Sequence, residues 1–230
     1  MLLKYKTDFR KRKICLSRYI LIERHMSVKD FLNGLVLEKA PGPYPSFSLF
    51  DVIKVLEIIA ESGSIGRGKL SDELGLGEGA TRTLLGRLTD AGLTVTMKSG
   101  CSLTERGKKI WGELKAILPR KVELEKNELT FAVYNVAVLV RHRGEGVGKG
   151  LEQRDAAVRA GAKGAITLIF KNGRLVLPAI SEDLSKDFPI AFGQVAHSME
   201  PKEDDAVIIS GADQRKEAEY GALAAAWTII

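Results

Sequence analysis

The segment from Ser48 to Leu118 limits the fold of this chain most strongly, because it contains a closely spaced series of helical patterns. It opens with Ser48-Leu49-Phe50-Asp51, a capping box in which a serine and an acidic residue satisfy each other's backbone amides. The three prolines within residues 41–45 cannot lie inside a helix, so the helix begins after them. Its apolar residues recur every three to four positions as far as Ser62 and Gly63, which predicts one amphipathic helix.

Two further helices are predicted, from Arg67 to Leu74 and from about Ala80 to Ala91. The later helix carries a stripe that must face the other helices, formed by Thr81, Leu84, Leu85 and Leu88. The opposite face then presents to solvent Arg82, Thr83, Gly86 and Arg87. Gly92 suits the left-handed residue that commonly ends such a helix.

A hairpin and a fourth helix complete the segment. Leu93–Met97 and Cys101–Leu103 are typical of short strands, and Lys98-Ser99-Gly100 joins them as a turn. Thr104 is the predicted N-cap of the helix that follows. The order helix, helix, turn, helix, hairpin, helix is that of a winged helix-turn-helix domain, which we expect over residues 27–118.

The stretch from Leu70 to Leu93 resembles prokaryotic winged-helix transcription regulators, and so does Leu103-Thr104-Glu105-Arg106-Gly107 at the exit of the hairpin. This resemblance implies a domain whose third helix enters the major groove of double-stranded DNA. It also implies a homodimer, since such regulators commonly bind two half-sites related by a two-fold axis. The remainder of the chain has a general likeness to archaeal two-domain regulators.

The distribution of charge supports DNA binding, whereas the total does not. The formal net charge is +6, but residues 1–26 carry eight basic and two acidic residues and account for all of it. Residues 27–78 carry five basic and eight acidic residues, while residues 79–118 carry seven and three. Positive charge therefore concentrates on the third helix, the hairpin and the start of the fourth helix. The candidate DNA contacts are Arg82, Thr83, Arg87, Lys98, Arg106 and Lys108.

The basic extension over residues 1–26 leaves several interpretations open. It has no sustained apolar period and no capping signal. It is either an arm that binds phosphates without reading bases or a disordered tail. Met26 opens the regular patterning, so a start of translation there would remove the extension altogether.

A charged linker is predicted over residues 119–128, followed by an α+β domain over residues 129–230. Strand and helix patterns follow the order βαββαβ, with one more helix at the end. Asn172-Gly173 joins the second and third strands as a hairpin, and Pro189 suits the first turn of the next helix. This order predicts a ferredoxin-like domain rather than a doubly wound sheet, because the hairpin makes two neighbouring strands antiparallel.

Two loops of this domain are candidates for binding a small effector, with an anion as one option. The first runs from Arg141 to Gly150 and has glycine at every second position from Gly144 onward. The second spans residues 210–213, and both lead from a strand into a helix. If both helix starts share one edge of the sheet, the pocket is lined by Gly148, Lys149, Gly150, Arg154, Asp155, Gly211, Asp213 and Arg215. A mobile loop with surface salt bridges is the alternative.

These features predict a DNA-binding transcription regulator whose second domain senses an effector or mediates dimerisation. The alternatives are an enzyme acting on a small or phosphorylated substrate and a winged helix that binds protein instead of DNA. No nucleophile elbow or metal-ligand spacing is evident, so we expect neither an enzyme nor a cofactor. The longest uncharged stretches are too short to span a bilayer, and two cysteines cannot form a disulfide framework. We therefore expect a cytoplasmic protein without membrane contact.

Overall fold

The computed structural model describes residues 26–37 and 46–230. The chain divides into two compact units, of which the first ends at Glu113 and the second begins at Leu114. The predicted basic extension, apart from Met26, lies outside the described residues. Within the part that the structure describes, no helix has the length and apolar character needed to cross a membrane.

The first unit consists of helices and one two-stranded sheet. Its elements are α1 (Val28–Leu37), α2 (Leu49–Ser62), α3 (Arg67–Leu74), α4 (Glu78–Asp90), β1 (Thr94–Met97), β2 (Gly100–Leu103) and α5 (Glu105–Ile117), which continues past the unit boundary. β1 and β2 pair antiparallel, with Lys98 and Ser99 as the turn between them. The helices and the hairpin predicted between Ser48 and Leu118 are therefore present in the predicted order.

Capping interactions fix where these helices start. The Ser48 side chain accepts from the Asp51 amide at 3.2 Å, and the Asp51 carboxylate accepts from the Ser48 amide at 2.7 Å. The predicted capping box at the start of α2 is thereby confirmed. Thr104 caps α5 as predicted, because its hydroxyl accepts from the Gly107 amide at 3.0 Å. Helices α2 and α5 therefore each begin after a polar residue that satisfies an otherwise free backbone amide.

Helix α4 places its side chains much as the sequence indicates. The stripe Thr81, Leu84, Leu85 and Leu88 is buried. The helix begins at Glu78, two residues earlier than predicted. At its end the Leu93 amide donates to the Leu88 carbonyl at 2.8 Å, and Gly92 has the left-handed conformation expected of it. The burial of one face fixes which residues of α4 remain on the outside.

The second unit is an α+β structure around a five-stranded sheet. Its elements are β3 (Lys121–Glu123), β4 (Tyr134–Val140), α6 (Leu151–Arg159), β5 (Gly164–Lys171), β6 (Arg174–Val176), α7 (Leu184–Asp187), α8 (Pro189–Met199), β7 (Ala206–Ala212) and α9 (Arg215–Trp227). Pro189 occupies the first turn of α8, as predicted. Asn172 and Gly173 both have positive φ and form the predicted hairpin turn between β5 and β6.

The strand order of the sheet is β3-β4-β7-β5-β6, and every neighbouring pair is antiparallel. This differs from the ferredoxin-like arrangement, in which the second strand of the hairpin lies between β4 and β5. Here β7 occupies the central place because all seven of its residues are buried and uncharged. β6 has three residues, one of them buried, which suits an edge strand. The prediction of a ferredoxin-like domain is therefore wrong in its strand order.

Helices cover both faces of this sheet. One face packs against α7 and α8 through a core that includes Leu184, Val195 and Met199. The other face is covered by α6 and α9. A side chain at Gly221 of α9 would clash with the Ser210 hydroxyl of β7, so glycine is required for this close helix–sheet contact. The sheet is consequently buried on both sides.

The predicted linker is partly a strand. Residues 121–123 form β3, which pairs with β4, and Val122 packs against the core of the second unit. Lys121 forms an ion pair with Glu219 of α9. The charged residues of the predicted linker favoured a loop, but β3 is an edge strand of the five-stranded sheet and only its apolar residue, Val122, packs inward.

Candidate nucleic-acid interface

A groove of about 650 Å³ runs between α4 and the β1–β2 hairpin of the first unit. From α4 it is lined by Arg82, Leu85, Gly86, Thr89 and Asp90. The hairpin contributes residues 96–101, and Gly66 and Arg67 contribute from the start of α3. The groove therefore joins the exposed face of one helix to the tip of the hairpin.

Three cationic side chains line this groove, namely Arg67, Arg82 and Lys98. All three residues are exposed. Within the part of the chain that the structure describes, none of them forms a salt bridge. Asp90 is the acidic residue among the lining side chains. The groove thus carries an excess of positive charge that the unit itself does not neutralise.

Arg82 and Lys98 were predicted from the sequence, whereas Arg67 was not. Arg67 belongs to a stretch whose overall charge is negative, so a count along the chain hides it. Its place is set by the fold, because α3 starts beside the hairpin. No side chain caps the start of α3, where Gly66 is the N-cap residue, so the positive end of the helix dipole also lies near the groove.

The hairpin is held against the loop between α2 and α3. Ile65 and Cys101 exchange two backbone hydrogen bonds of 3.1 and 2.8 Å. The Ser64 hydroxyl donates to the Ser99 carbonyl at 3.2 Å. The hairpin therefore presents Lys98 from a tethered position.

Burial raises the pKa of the Cys101 thiol, and hydrogen bonds with Thr94 and Thr96 oppose that rise only in part.

Arg87, although predicted to contact DNA, faces away from the groove. Its guanidinium donates to the Leu35 and Val36 carbonyls of α1 at 2.9 and 3.0 Å. It also lies over the Phe47 ring, 5.3 Å from the ring centre. Arg87 consequently holds the C-terminal end of α1 against the unit, where a cation satisfies free carbonyls.

Arg106 and Lys108 also have partners inside the unit. Arg106 donates to the Ala91 carbonyl at 2.6 Å and stacks on the Phe31 ring at 5.2 Å. Lys108 forms a salt bridge of 2.8 Å with Glu105 on the same helix. Neither residue lines the groove. The sequence placed these charges near the hairpin, but the fold turns the Arg106 side chain inward.

Thr83 is exposed on α4, as predicted, and its hydroxyl donates to the Gly79 carbonyl at 2.9 Å. This bond to the preceding turn satisfies the hydroxyl within the helix. Thr83 does not line the groove, although its neighbour Arg82 and Gly86, one turn further along α4, do. Of the six predicted DNA contacts, the structure brings together Arg82 and Lys98.

The glycine-rich loop of the second unit is tied to residues Asp204 and Asp205. The Asp204 carbonyl accepts from the Arg143 and Gly144 amides, each at 2.8 Å, and its carboxylate accepts from the Glu145 amide at 2.9 Å. The amides of residues 143–145, which could have surrounded an anion, are thus already satisfied within the chain. The first half of the glycine-rich loop is therefore pinned, and anion binding at Gly148, Lys149 and Gly150 stays a prediction.

Asp205 completes this attachment from a fully buried position. It forms an ion pair with Arg141 and accepts from the His142 and Lys202 amides at 3.1 and 2.6 Å. The contacts with Arg141 and His142 join the turn before β7 to the loop after β4, and the Lys202 amide closes the turn itself. Periodicity and local charge do not reveal this network, because Arg141 and His142 lie more than sixty residues before Asp205 in the chain.

The two helix starts that carry the predicted effector residues do not share one edge of the sheet. α6 follows the end of β4 and α9 follows the end of β7, and because β4 and β7 are antiparallel these two helix starts follow opposite ends of the sheet. Gly211 lies within β7 rather than in a loop. Four of the five charged candidates form salt bridges, in the pairs Arg154–Asp155, Lys163–Asp213 and Arg215–Glu123. The shared-edge prediction is therefore wrong, while Gly148, Lys149 and Gly150 remain together just before α6.

Among the described residues, no group of three or more histidine, cysteine, aspartate or glutamate side chains is arranged to hold a metal ion.

Comparison with known proteins agrees with the division into two units. Residues 48–109 match the PH0730-like N-terminal domain, and residues 131–229 match a domain of unknown function, DUF4443. No protein with a curated description matches. A solved structure, the hypothetical protein PH0730 from Pyrococcus horikoshii OT3, is 29% identical with a TM-score of 0.65, and the match covers 80% of this chain and 93% of that chain. The chain is thus similar in both parts to an archaeal protein and has an archaeal-type two-domain organisation.

Proposed function

We propose that the first unit is a winged helix that binds double-stranded DNA and that the protein is a transcription regulator. In this proposal α4 is the recognition helix and the β1–β2 hairpin is the wing. The observation that carries it is the groove between them, where Arg67, Arg82 and Lys98 are exposed and lack salt bridges within the described residues.

The three cations have different roles in this proposal. Arg82 lies on the exposed face of α4, where an arginine can donate two hydrogen bonds to the O6 and N7 atoms of guanine. Arg67 and Lys98 line the groove from α3 and from the hairpin turn, and we assign them to phosphate contacts. The uncapped start of α3 adds a favourable partial charge on the Arg67 side.

Because Arg87 and Arg106 bind groups inside the unit, the proposed interface contains fewer residues than predicted. Its net charge is still positive. Both guanidiniums bind backbone carbonyls within the unit, so neither is counted among the DNA contacts. Asp90 at the end of α4 disfavours phosphates in that part of the groove. The proposed duplex therefore lies toward Arg82 and the wing tip.

Selection of bound fragments from a random pool of duplex DNA, using the full chain, tests the proposal. We expect one enriched sequence. Arg82→Ala should bind that sequence more weakly, and its discrimination at one base pair should fall by about 1–3 kcal/mol. Lys109→Ala is the matched control, since Lys109 is an exposed cation on α5 outside the groove.

Two results would contradict DNA binding through this groove. One is a pool that returns from selection with no enriched sequence and no salt-dependent retention. The other is equal affinity of the Arg82→Ala and Lys109→Ala variants for the enriched duplex. Retention of a protein partner by the exposed hairpin residues Val95 and Met97, without DNA binding, would favour a protein-interaction module instead. The effector and the homodimer stay predictions.

A further inference from the structure

Gly86 occupies the centre of the groove-facing side of α4. It follows Arg82 by one helical turn and precedes Asp90 by one turn, so the three residues lie on one face. All three line the groove between α4 and the hairpin. The middle of the proposed DNA-binding face is therefore bare backbone.

Nothing within the unit requires glycine at this position. The residue lies inside a regular helix, its φ angle is not positive, and a Cβ atom there would meet no other atom within 4 Å. Glycine in a helix interior is less favourable than alanine, because the unfolded chain gains more conformational freedom. The folded unit thus carries a destabilising residue at an exposed site where alanine would fit.

Open space alone does not distinguish Gly86, since Gly112 on α5 is also exposed and equally unobstructed. What distinguishes Gly86 is that it lines the groove, one helical turn from Arg82. A helix with side chains is about 10–12 Å across, and the major groove of B-DNA is about 12 Å wide. A position without a side chain on the contacting face lets the helix axis approach the base edges more closely.

We infer that Gly86 is the point of closest approach between α4 and the duplex, and that its missing side chain sets how deeply Arg82 reaches into the major groove. This inference rests on the proposed DNA-binding function and adds a positioning residue to it. A methyl group at residue 86 would hold the helix away from the bases, and Arg82 would lose part of its contact.

The test compares Gly86→Ala and Gly86→Leu with Gly112→Ala in the full chain, using the duplex that the wild-type chain selects from a random pool. Both alanine variants should raise the melting temperature by about 2–4 °C, because each removes a helix-interior glycine. Gly86→Ala should nevertheless bind the duplex about tenfold more weakly, and Gly86→Leu more weakly still, whereas Gly112→Ala should bind like the wild type.

The opposite directions of stability and affinity make the outcome specific. Weaker binding by a variant that unfolds at a higher temperature cannot result from damage to the fold. Equal affinity of Gly86→Ala and the wild type would overturn the inference while leaving the proposed function intact. A wild-type chain that selects no duplex would overturn both, and a stabilised Gly86→Leu variant with unchanged affinity would likewise exclude close approach at this residue.

Discussion

The predicted binding sites of the two units differ in how their charged side chains are surrounded. In the second unit four of the predicted effector residues form salt bridges, in the pairs Arg154–Asp155, Lys163–Asp213 and Arg215–Glu123. In the first unit, Arg67, Arg82 and Lys98 surround one groove without a salt bridge among the described residues. Clustered like charges repel one another within a folded unit, and we propose that DNA phosphates offset this repulsion at the groove.

The same contrast occurs within α4. Arg82 and Arg87 are five positions apart, and yet one is exposed at the groove while the other is bound to the end of α1. A count of charge along the sequence treats both alike. The comparison teaches that the direction and partners of each side chain, rather than the local net charge, determine which cations are available to the proposed DNA ligand.

The largest expected effect concerns the hydrogen bonds and the ion pair around Asp205 in the second unit. Asp205→Ala removes a fully buried carboxylate and leaves the Arg141 guanidinium and two backbone amides without their acceptor. We expect a loss of about 3 kcal/mol in the free energy of unfolding. Urea unfolding followed by the fluorescence of Trp227, in a Trp111→Phe background, measures it.

Asp213→Ala is the control for that experiment. Its ion pair with Lys163 is exposed, so its removal should change the free energy of unfolding by no more than about 0.5 kcal/mol. Equal losses for the two variants would show that the buried network is no more important than a surface pair. The contrast between pinned and surface charges in this unit would then disappear.

The next effect separates the two arginines of α4. Arg87→Met keeps most of the side-chain volume but removes the hydrogen bonds to Leu35 and Val36, and we expect it to lower unfolding stability by about 1–2 kcal/mol. Arg82→Met should leave stability within about 0.5 kcal/mol of the wild type and weaken duplex binding. Urea unfolding followed by circular dichroism, with duplex titration well below the transition, distinguishes them. The reverse pattern would assign the interface to Arg87.

The smallest effect is a pH dependence in the second unit. Partial desolvation raises the pKa of Glu128, but hydrogen bonds from the Ile190 and Ala191 amides at the start of α8 outweigh it and leave the pKa lowered. A lowered pKa in the folded state means that this stabilisation is complete above the ordinary value of 4.5 and is lost as the pH falls through the folded value.

Glu128→Gln tests this assignment. Its melting temperature should lie slightly below that of the wild type near neutral pH, and the difference should shrink as the pH falls below 4.5. Glu125→Gln, at an exposed position three residues earlier, is the control. A Glu128→Gln deficit that stays constant down to acidic pH would exclude the carboxylate as the cap of α8.

Local signals explain why so much of the fold follows from the sequence. The capping box at Ser48, the left-handed Gly92, the Asn172-Gly173 turn and Pro189 at the start of α8 each act over a few residues. Elements bounded by such signals were predicted nearly in place. The order of strands in the second sheet was not, because it depends on β7 being buried from both sides, which periodicity within one segment does not reveal.

The candidate site was predictable only in part for a similar reason. Arg82 and Lys98 lie on elements whose exposed faces follow from the buried stripe and the hairpin turn. Arg67 lines the groove from α3. Arg87 and Arg106 instead bind carbonyls of other elements, 52 and 15 residues away in the chain. Such contacts between separate elements have no signature in local charge or period.

The salt dependence of duplex binding tests the central claim most directly, namely that the groove of the first unit binds DNA phosphates. If Arg67 and Lys98 contact phosphates, the double variant Arg67→Ala/Lys98→Ala should reduce the slope of log affinity against log salt by about two. Lys108→Ala/Lys109→Ala removes the same charge from α5 outside the groove and should leave the slope unchanged. Equal slopes for the two double variants would contradict the account.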